Sequence, residues 1–309
     1  MSTLLITHPA FLDHVTPQGH PERPDRLRAV ERVLEDEKFQ PLLREQAPMA
    51  DLETVALCHP MDFVELIRDN APKEGMVRID ADTTMSPGSF EAALRAVGGG
   101  VLAVDEVMTR KVANAFLAAR PPGHHAETAR PMGFCLFNSA AIAARHAQKK
   151  HGAERVAIVD FDVHHGNGSQ DIFWDDSTVM YCSTHEMPLY PGTGAVGERG
   201  VHDTIVNAPL SAGDGGDVFR EAFETAILPR LRQFKPDLMI ISAGFDAHMR
   251  DPLANLNLLE ADYGWVTRKL MDVADECAGG RVVSLLEGGY DLEGLSRSVG
   301  AHVTALMRG

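Results

Sequence analysis

The sequence predicts an α/β fold: a central, mostly parallel sheet with helices on both faces. Short β-branched or apolar runs alternate with longer stretches of helical periodicity, the pattern of strand–helix–strand units. Those runs are apolar throughout rather than at every second residue, as strands buried on both faces require. No Pro/Gly-rich linker interrupts the 309 residues, so one domain over residues 1–309 is expected.

The first strand is TLLIT (3–7). RPDRLRAVERVLED (23–36) is helical, with Leu27, Val30 and Leu34 on one stripe. SFEAALRAVGGGVLAVDEV (89–107) keeps helical periodicity through Gly98, Gly99 and Gly100. Three glycines cost helix stability by propensity, so they point to close packing; no strand feeds directly into them as a phosphate loop would need. ANAFLA (113–118) is a strand. NSAAIAARHAQKKHG (138–152) is a helix capped by Asn138 or Ser139 and stopped at Gly152. RVAIVDF (155–161) and TVMYCS (178–183) are strands. DVFREAFETAILPRLRQF (217–234) is read as one helix carrying Phe219, Phe223, Ile227 and Leu231. DLMIISA (237–243) and RVVSLL (281–286) complete the set of strands.

Composition excludes several functions. With 44 acidic against 29 basic residues the net charge is -15, and no Lys/Arg cluster is dense enough to follow a phosphate backbone, which argues against direct nucleic-acid binding. The apolar stretch near the N-terminus is too short for a secretion signal, and no 18 apolar residues run together, so no membrane partner is expected. Cys58, Cys135, Cys182 and Cys277 are scattered without C-x-x-C spacing; they suggest a reducing, cytoplasmic setting and neither a disulfide framework nor a structural zinc.

The chemistry lies in the loops after the strands. ANAFLA leads into ARPPGHHAE, RVAIV into DFDVHHGNG, LMIISA into GFDAHMRDP and VVSLL into EGGYDLEG. Ligand sites in open α/β sheets lie beyond the carboxyl ends of the strands, so these four polar, glycine-flanked loops are expected to share a pocket. Asp162, His164 and Asp246 make a cation site with open positions, as catalytic zinc requires. His124, His125 and Tyr290 are the residue types that move protons and hold an oxyanion, and the set describes metal-assisted hydrolysis of a carbonyl compound. His8, His14, His146, His151 and His302 are expected on helix surfaces or in loops, while His20 in GHPERPDRL fits either a rigid turn or the site.

In order along the chain, RPPGHHA, GFCLFNSAAIAA, VDFDVHHGNG, YPGTG, AGFDAH and LEGGYDL resemble the zinc-dependent histone deacetylase family, nearer its class II and bacterial deacetylase-like branch. The likeness runs from HPERPDRLRAV to the last helix. It implies the arginase–deacetylase fold, a single α/β domain around a central, mostly parallel sheet of about eight strands, and hydrolysis of an acetylated amine, from an acetylated protein or peptide or a small molecule, to amine and acetate. It implies Asp162, His164 and Asp246 as ligands of Zn²⁺, although such a carboxylate-rich set also accepts Fe²⁺ or Co²⁺. His125 matches the general base and later acid, His124 its electrostatic neighbour, and Asp160 the carboxylate behind His124. Tyr290 matches the hydroxyl that holds the carbonyl oxygen.

Phe134 and Tyr190 match the aromatic walls of an acyl-lysine tunnel, with Gly133 and Gly289 beside them, and Arg23 matches an arginine near its floor. A structural K⁺ would use Asp160, Asp162, His164, Ser183 and Thr184. Asn167 stands where class I members carry an aspartate behind the second histidine, and Tyr190 replaces the commoner phenylalanine. In polyamine-selective members a glutamate seven residues after the last metal-ligand aspartate guards the tunnel; here that position is Leu253. The alternatives are an acetylpolyamine or other small-amine deacetylase, an arginase-like dinuclear hydrolase recruiting His248 and Asp251, and a non-catalytic binding module. Self-association into a homo-oligomer is left open by the sequence.

Overall fold

The computed structural model describes residues 2–308; Met1 and Gly309, the two ends of the expected 1–309 domain, lie outside the described residues. The strands are β1 (Thr3–Thr7), β2 (Leu43–Gln46), β3 (Val77–Arg78), β4 (Thr84–Met85), β5 (Asn114–Leu117), β6 (Val156–Asp160), β7 (Val179–Glu186), β8 (Ile205–Leu210), β9 (Leu238–Ala243) and β10 (Val282–Leu286). The α-helices are α1 (Asp25–Val33), α2 (Leu52–Val55), α3 (Met61–Asp69), α4 (Ser89–Met108), α5 (Ser139–His151), α6 (Asn167–Ile172), α7 (Gly216–Ala222), α8 (Leu228–Phe234), α9 (Glu260–Cys277) and α10 (Leu292–Leu306).

Eight strands form one sheet in the order β2-β1-β5-β10-β9-β6-β7-β8, with every neighbouring pair parallel; β3 and β4 form a separate antiparallel ribbon. Successive side chains of a strand point to opposite faces. On β10, Ser284 meets His302 of α10, whereas the next residue, Leu285, packs over Gly100 of α4. Helices therefore cover both faces, which is why the central strands are buried along their whole length and apolar at most positions.

Each of the six expected strands forms, the run at 178–183 continuing to Glu186. Two more, β2 and β8, escape sequence reading because they are the edges of the sheet. The residues of β2, LREQ, are all exposed, and β8 carries Pro209, which an edge strand tolerates because no inner neighbour needs its N–H. The helix expected over 217–234 is divided: α7 passes through a π-turn at Phe223–Ile227 before α8, whose first turn contains Pro229.

Other local signals act as expected. Asn138 caps α5 by accepting from the Ala141 N–H, and Gly152 closes it at φ 68°. A Cβ on Gly98 would collide with the Pro48 carbonyl oxygen, so the glycine run is a packing device. Two of the histidines expected on helix surfaces or in loops are buried: His302 inside its helix packing, and His14 in a loop. His302 continues the apolar stripe of Val299, Val303 and Leu306 and bridges Thr267 Oγ1 (2.7 Å) and Ser284 Oγ (2.8 Å). His14 lies between Ser89 Oγ (2.7 Å) and Glu22 Oε2 (3.3 Å).

Candidate active site

Strands β5, β10, β9 and β6 are consecutive in the sheet, so the loops after them meet. There the donor atoms of Asp162, His164 and Asp246 lie within 4.8 Å of one another, all three residues buried. His164 Nδ1 is 3.3 Å from Asp162 Oδ1 and 3.1 Å from Asp246 Oδ2. Backbone donors fix the carboxylates: Asp162 Oδ2 accepts from Gly288 N (2.8 Å) and Asp246 Oδ1 from Val163 N (2.8 Å). A Cβ at Gly244 or Gly288 would run into these carboxylates, so the two glycines make the close approach feasible. Burial, reinforced by Asp162, pushes the Asp246 carboxyl up to about 6. Two buried carboxylates facing an imidazole are a donor set that a divalent cation satisfies.

The paired imidazoles sit beside this set, their centroids 4.0 Å apart. His124 Nδ1 lies 2.9 Å from Asp160 Oδ2. Burial opposes charge on His124, but the carboxylates of Asp160, Asp162 and Glu287 overcome it and hold its pKa well above the ordinary value. His125 goes the other way: burial, then the positive charges of His124 and His164, push its pKa well below 6.5. Its tautomer is set by its partners. Asn167 Nδ2 donates to Glu127 Oε1 (2.8 Å), so Asn167 Oδ1 is the atom facing His125 Nδ1 (2.8 Å), and that nitrogen must carry the proton. Nε2 is left with its lone pair.

Above the histidines opens a cleft of about 220 Å³ lined by Asp82, His125, Gly133, Phe134, His164, Leu189, Tyr190, Leu253 and Tyr290. Phe134 and Tyr290 meet edge-on at 6.0 Å, and Tyr190 meets His125 edge-on at 5.3 Å. His20 packs edge-on against Phe134 at 4.7 Å, which puts it behind the wall of the site. Burial holds the Tyr290 phenol well above 10, so it is a hydrogen-bond donor at neutral pH.

Two expectations need correction. Arg23 is not at the floor: it is half exposed and pairs loosely with Asp25 at 3.8 Å. Arg26, one helical turn on, takes that place, with its guanidinium 4.9 Å over the Tyr290 ring, Nε donating to the Gly289 carbonyl (2.6 Å) and Nη2 to the Glu287 carbonyl (2.5 Å). Glu22 neutralises Arg26 (3.0 Å) and is itself gripped by both arms of Arg120 (2.5 and 2.6 Å). Gly289 does not line the cleft; at φ 122° it turns beneath Tyr290, packed against Leu295 and Phe245.

The two residues of the dinuclear reading are engaged elsewhere: Asp251 accepts from the backbone N–H groups of Tyr290 (2.7 Å), Asp291 (3.3 Å) and Leu253 (3.0 Å), and His248 Nε2 lies 3.7 Å from Glu260 Oε1. Among the described residues no second set of three converging metal-capable side chains includes His248 or Asp251. At the expected K⁺ position, Ser183 stands opposite Asp160 in register and pairs with His185 Nδ1 (2.9 Å), while the buried Thr184 Oγ1 has no hydrogen-bond partner among the described residues.

Sequence reasoning missed Asp82, Glu287 and the Glu22–Arg26–Arg120 cluster. Glu287 Oε2 accepts from Gly123 N (2.7 Å) and His124 N (3.2 Å), and burial pushes the group up to about 7. The i,i+4 spacing of Glu22 and Arg26, beside apolar Leu27 and Val30, was the available signal for the cluster.

A parallel α/β sheet that gathers two carboxylates, an imidazole, a paired-histidine dyad and a tyrosine at its strand ends defines the class of hydrolases with a metal-binding centre. The chain belongs to the histone deacetylase family: residues 20–306 match the model for the histone deacetylase domain. It is 39% identical to the protein named histone deacetylase 14, chloroplastic, of Arabidopsis thaliana, over 98% of this chain and 76% of that one. With the histone deacetylase-like amidohydrolase of Pseudomonas aeruginosa the identity is 36%, over 88% of this chain and 73% of the relative. The crystal structure of the HDA15 HD domain superposes with a TM-score of 0.94 at 37% identity, covering 99% of this chain and 88% of that one.

Proposed function

We propose that the chain, acting as one catalytic domain, is a zinc-dependent deacetylase that hydrolyses the acetamide of acetyl-lysine to the amine and acetate. The observation that carries this reading is the cleft itself: Phe134, Tyr190 and an uncharged Leu253 surround the space above His125 and Tyr290. Asp162, His164 and Asp246 would hold the ion, which when bound supplies charge to polarise the amide carbonyl and lowers the pKa of water from 15.7 toward roughly 7. Thr184, with its unpartnered hydroxyl, and Ser183 support a K⁺ site with the backbone of Asp160, Asp162 and His164. The four unpaired cysteines support a reducing, cytoplasmic setting.

His125 Nε2 accepts the proton of the attacking water and later returns it to the leaving amine. His124, held cationic by Asp160, keeps His125 from retaining that proton. The Tyr290 hydroxyl donates to the carbonyl oxygen as it gains charge, while Phe134 and Tyr190 flank the methylene chain and exclude water.

A second reading, deacetylation of a small polyamine, is favoured by Asp82, whose carboxylate sits at the rim and accepts from Gly133 N (2.9 Å) and Thr83 Oγ1 (2.8 Å). A panel of acyl-lysine peptides and acetylputrescine, assayed at moderate ionic strength with defined metal, separates the two. Acetyl-lysine peptide is the expected better substrate by kcat/KM, and Leu253→Glu is expected to move preference toward the diamine. A strong wild-type preference for acetylputrescine overturns the acyl-lysine assignment. Tyr290→Phe should keep the metal and lose about 10²–10³-fold in kcat, the usual cost of one oxyanion donor; near-normal turnover would remove Tyr290 from the mechanism.

A further inference from the structure

We propose that Asp105, His146 and His151 form a second transition-metal site, at the end of the molecule away from the cleft. His146 Nε2 and His151 Nε2 approach the same carboxylate oxygen, Asp105 Oδ1, at 2.7 and 2.6 Å, and their ring centroids are 5.8 Å apart. The three donor atoms lie within 4.8 Å of one another. Residues five apart do not share a face of an α-helix. The pair converges only because His151 ends α5, just before left-handed Gly152.

One carboxylate oxygen accepts from both rings, so each must present an Nε2–H; the other oxygen of Asp105 makes no hydrogen bond among the described residues. A divalent ion takes the place of the two Nε2–H groups, each neutral ring carrying its proton on Nδ1 instead, and offsets the carboxylate charge; a modest rotation of Asp105 opens the triangle to the roughly 3.3 Å edges that 2.0–2.1 Å bonds demand. The two side chains from α5 are each 15% exposed and Asp105 39%, so solvent reaches the positions that protein does not fill. Two imidazoles and one carboxylate suit Zn²⁺, Cu²⁺, Ni²⁺ or Co²⁺ rather than Mg²⁺ or Ca²⁺. The net charge of -15 draws cations to the surface.

The site is independent of the first. Asn138, at the other end of α5, contacts the Ala126 carbonyl beside the paired histidines, and 13 helical residues separate the two ends by roughly 20 Å. Its consequence is mechanical: metal pins the last turn of α5 to α4 and stabilises the fold without entering catalysis.

Zinc bound per chain, measured by equilibrium dialysis of metal-stripped protein, tests this. Wild type should hold two equivalents, His146→Gln/His151→Gln one, Asp162→Ala one, and the combined variant none. His146→Gln/His151→Gln should keep wild-type kcat and KM, and excess zinc should raise the Tm of Asp162→Ala but not of the combined variant. His151→Gln alone, at the last residue of the helix, should weaken the second equivalent at least tenfold and guards against misfolding of the double variant. Two equivalents retained in His146→Gln/His151→Gln, or only one in wild type, overturns the proposal. Loss of both equivalents in Asp162→Ala also overturns it, since the ions would then share one centre. Failure of the catalytic reading would show differently, as Asp162→Ala keeping both.

Discussion

A single amide decides the tautomer of the proposed base. Because Asn167 is held by Glu127, it offers His125 an oxygen that accepts but carries no charge. Burial and the neighbouring positive charges then keep His125 neutral well below pH 6.5, so the acid limb of kcat/KM should lie below that value. Asn167→Asp would put a carboxylate against Nδ1 and favour the imidazolium; the acid limb should move up by a measurable fraction of a pH unit or more, and an unmoved limb would take His125 out of the base role. At this scale the residues that the structure gathers at the strand ends were legible because they come directly after apolar runs, in tight, polar, glycine-flanked clusters. Arg26 was not, because its partner groups are backbone carbonyls at residues 287 and 289, which no local pattern announces.

Elements are specified where local chemistry and packing agree and are missed where only one speaks. The strand at Val156–Asp160 is apolar, central and evident; β2 is polar and exists because β1 offers it an edge. Helix α4 shows packing overruling propensity. Gly98→Ala would gain about 1 kcal/mol of helix propensity, yet its methyl would meet the Pro48 backbone, so a net loss of about 1–3 kcal/mol is expected by denaturant unfolding. A stabilised variant would show that the segment at Pro48 yields freely. Asp251 works at the same level: by bonding the N–H groups of both Tyr290 and Leu253 it ties the loop that shapes the entrance to the loop that carries the hydroxyl.

For the whole molecule, buried neutral histidines set the response to acid. Burial lowers His59 and His185 to about 4 and His302 to about 3, while the unfolded chain titrates near 6.5. The unfolded state therefore binds more protons below pH 6.5, and the stability these residues contribute, fully present above that pH, falls as pH drops toward 4. Each contributes on the order of 1 kcal/mol per pH unit in that window. Denaturant midpoints should fall between pH 6.5 and 5, before most carboxylates titrate, and His302→Gln should flatten the slope; a midpoint constant to pH 5 would contradict this.

The strand order has a consequence for biosynthesis. The last strand made, β10, is inserted between β5 and β9 at the middle of the sheet, and it brings Tyr290 with it. A chain emerging from the ribosome consequently holds two incomplete half-sheets, each with a bare inner edge, until about residue 286 has cleared the exit tunnel. On the proposed mechanism, hydrolytic competence then arrives in a single late event rather than by increments, and a nascent chain stalled before that point presents sticky edges to chaperones.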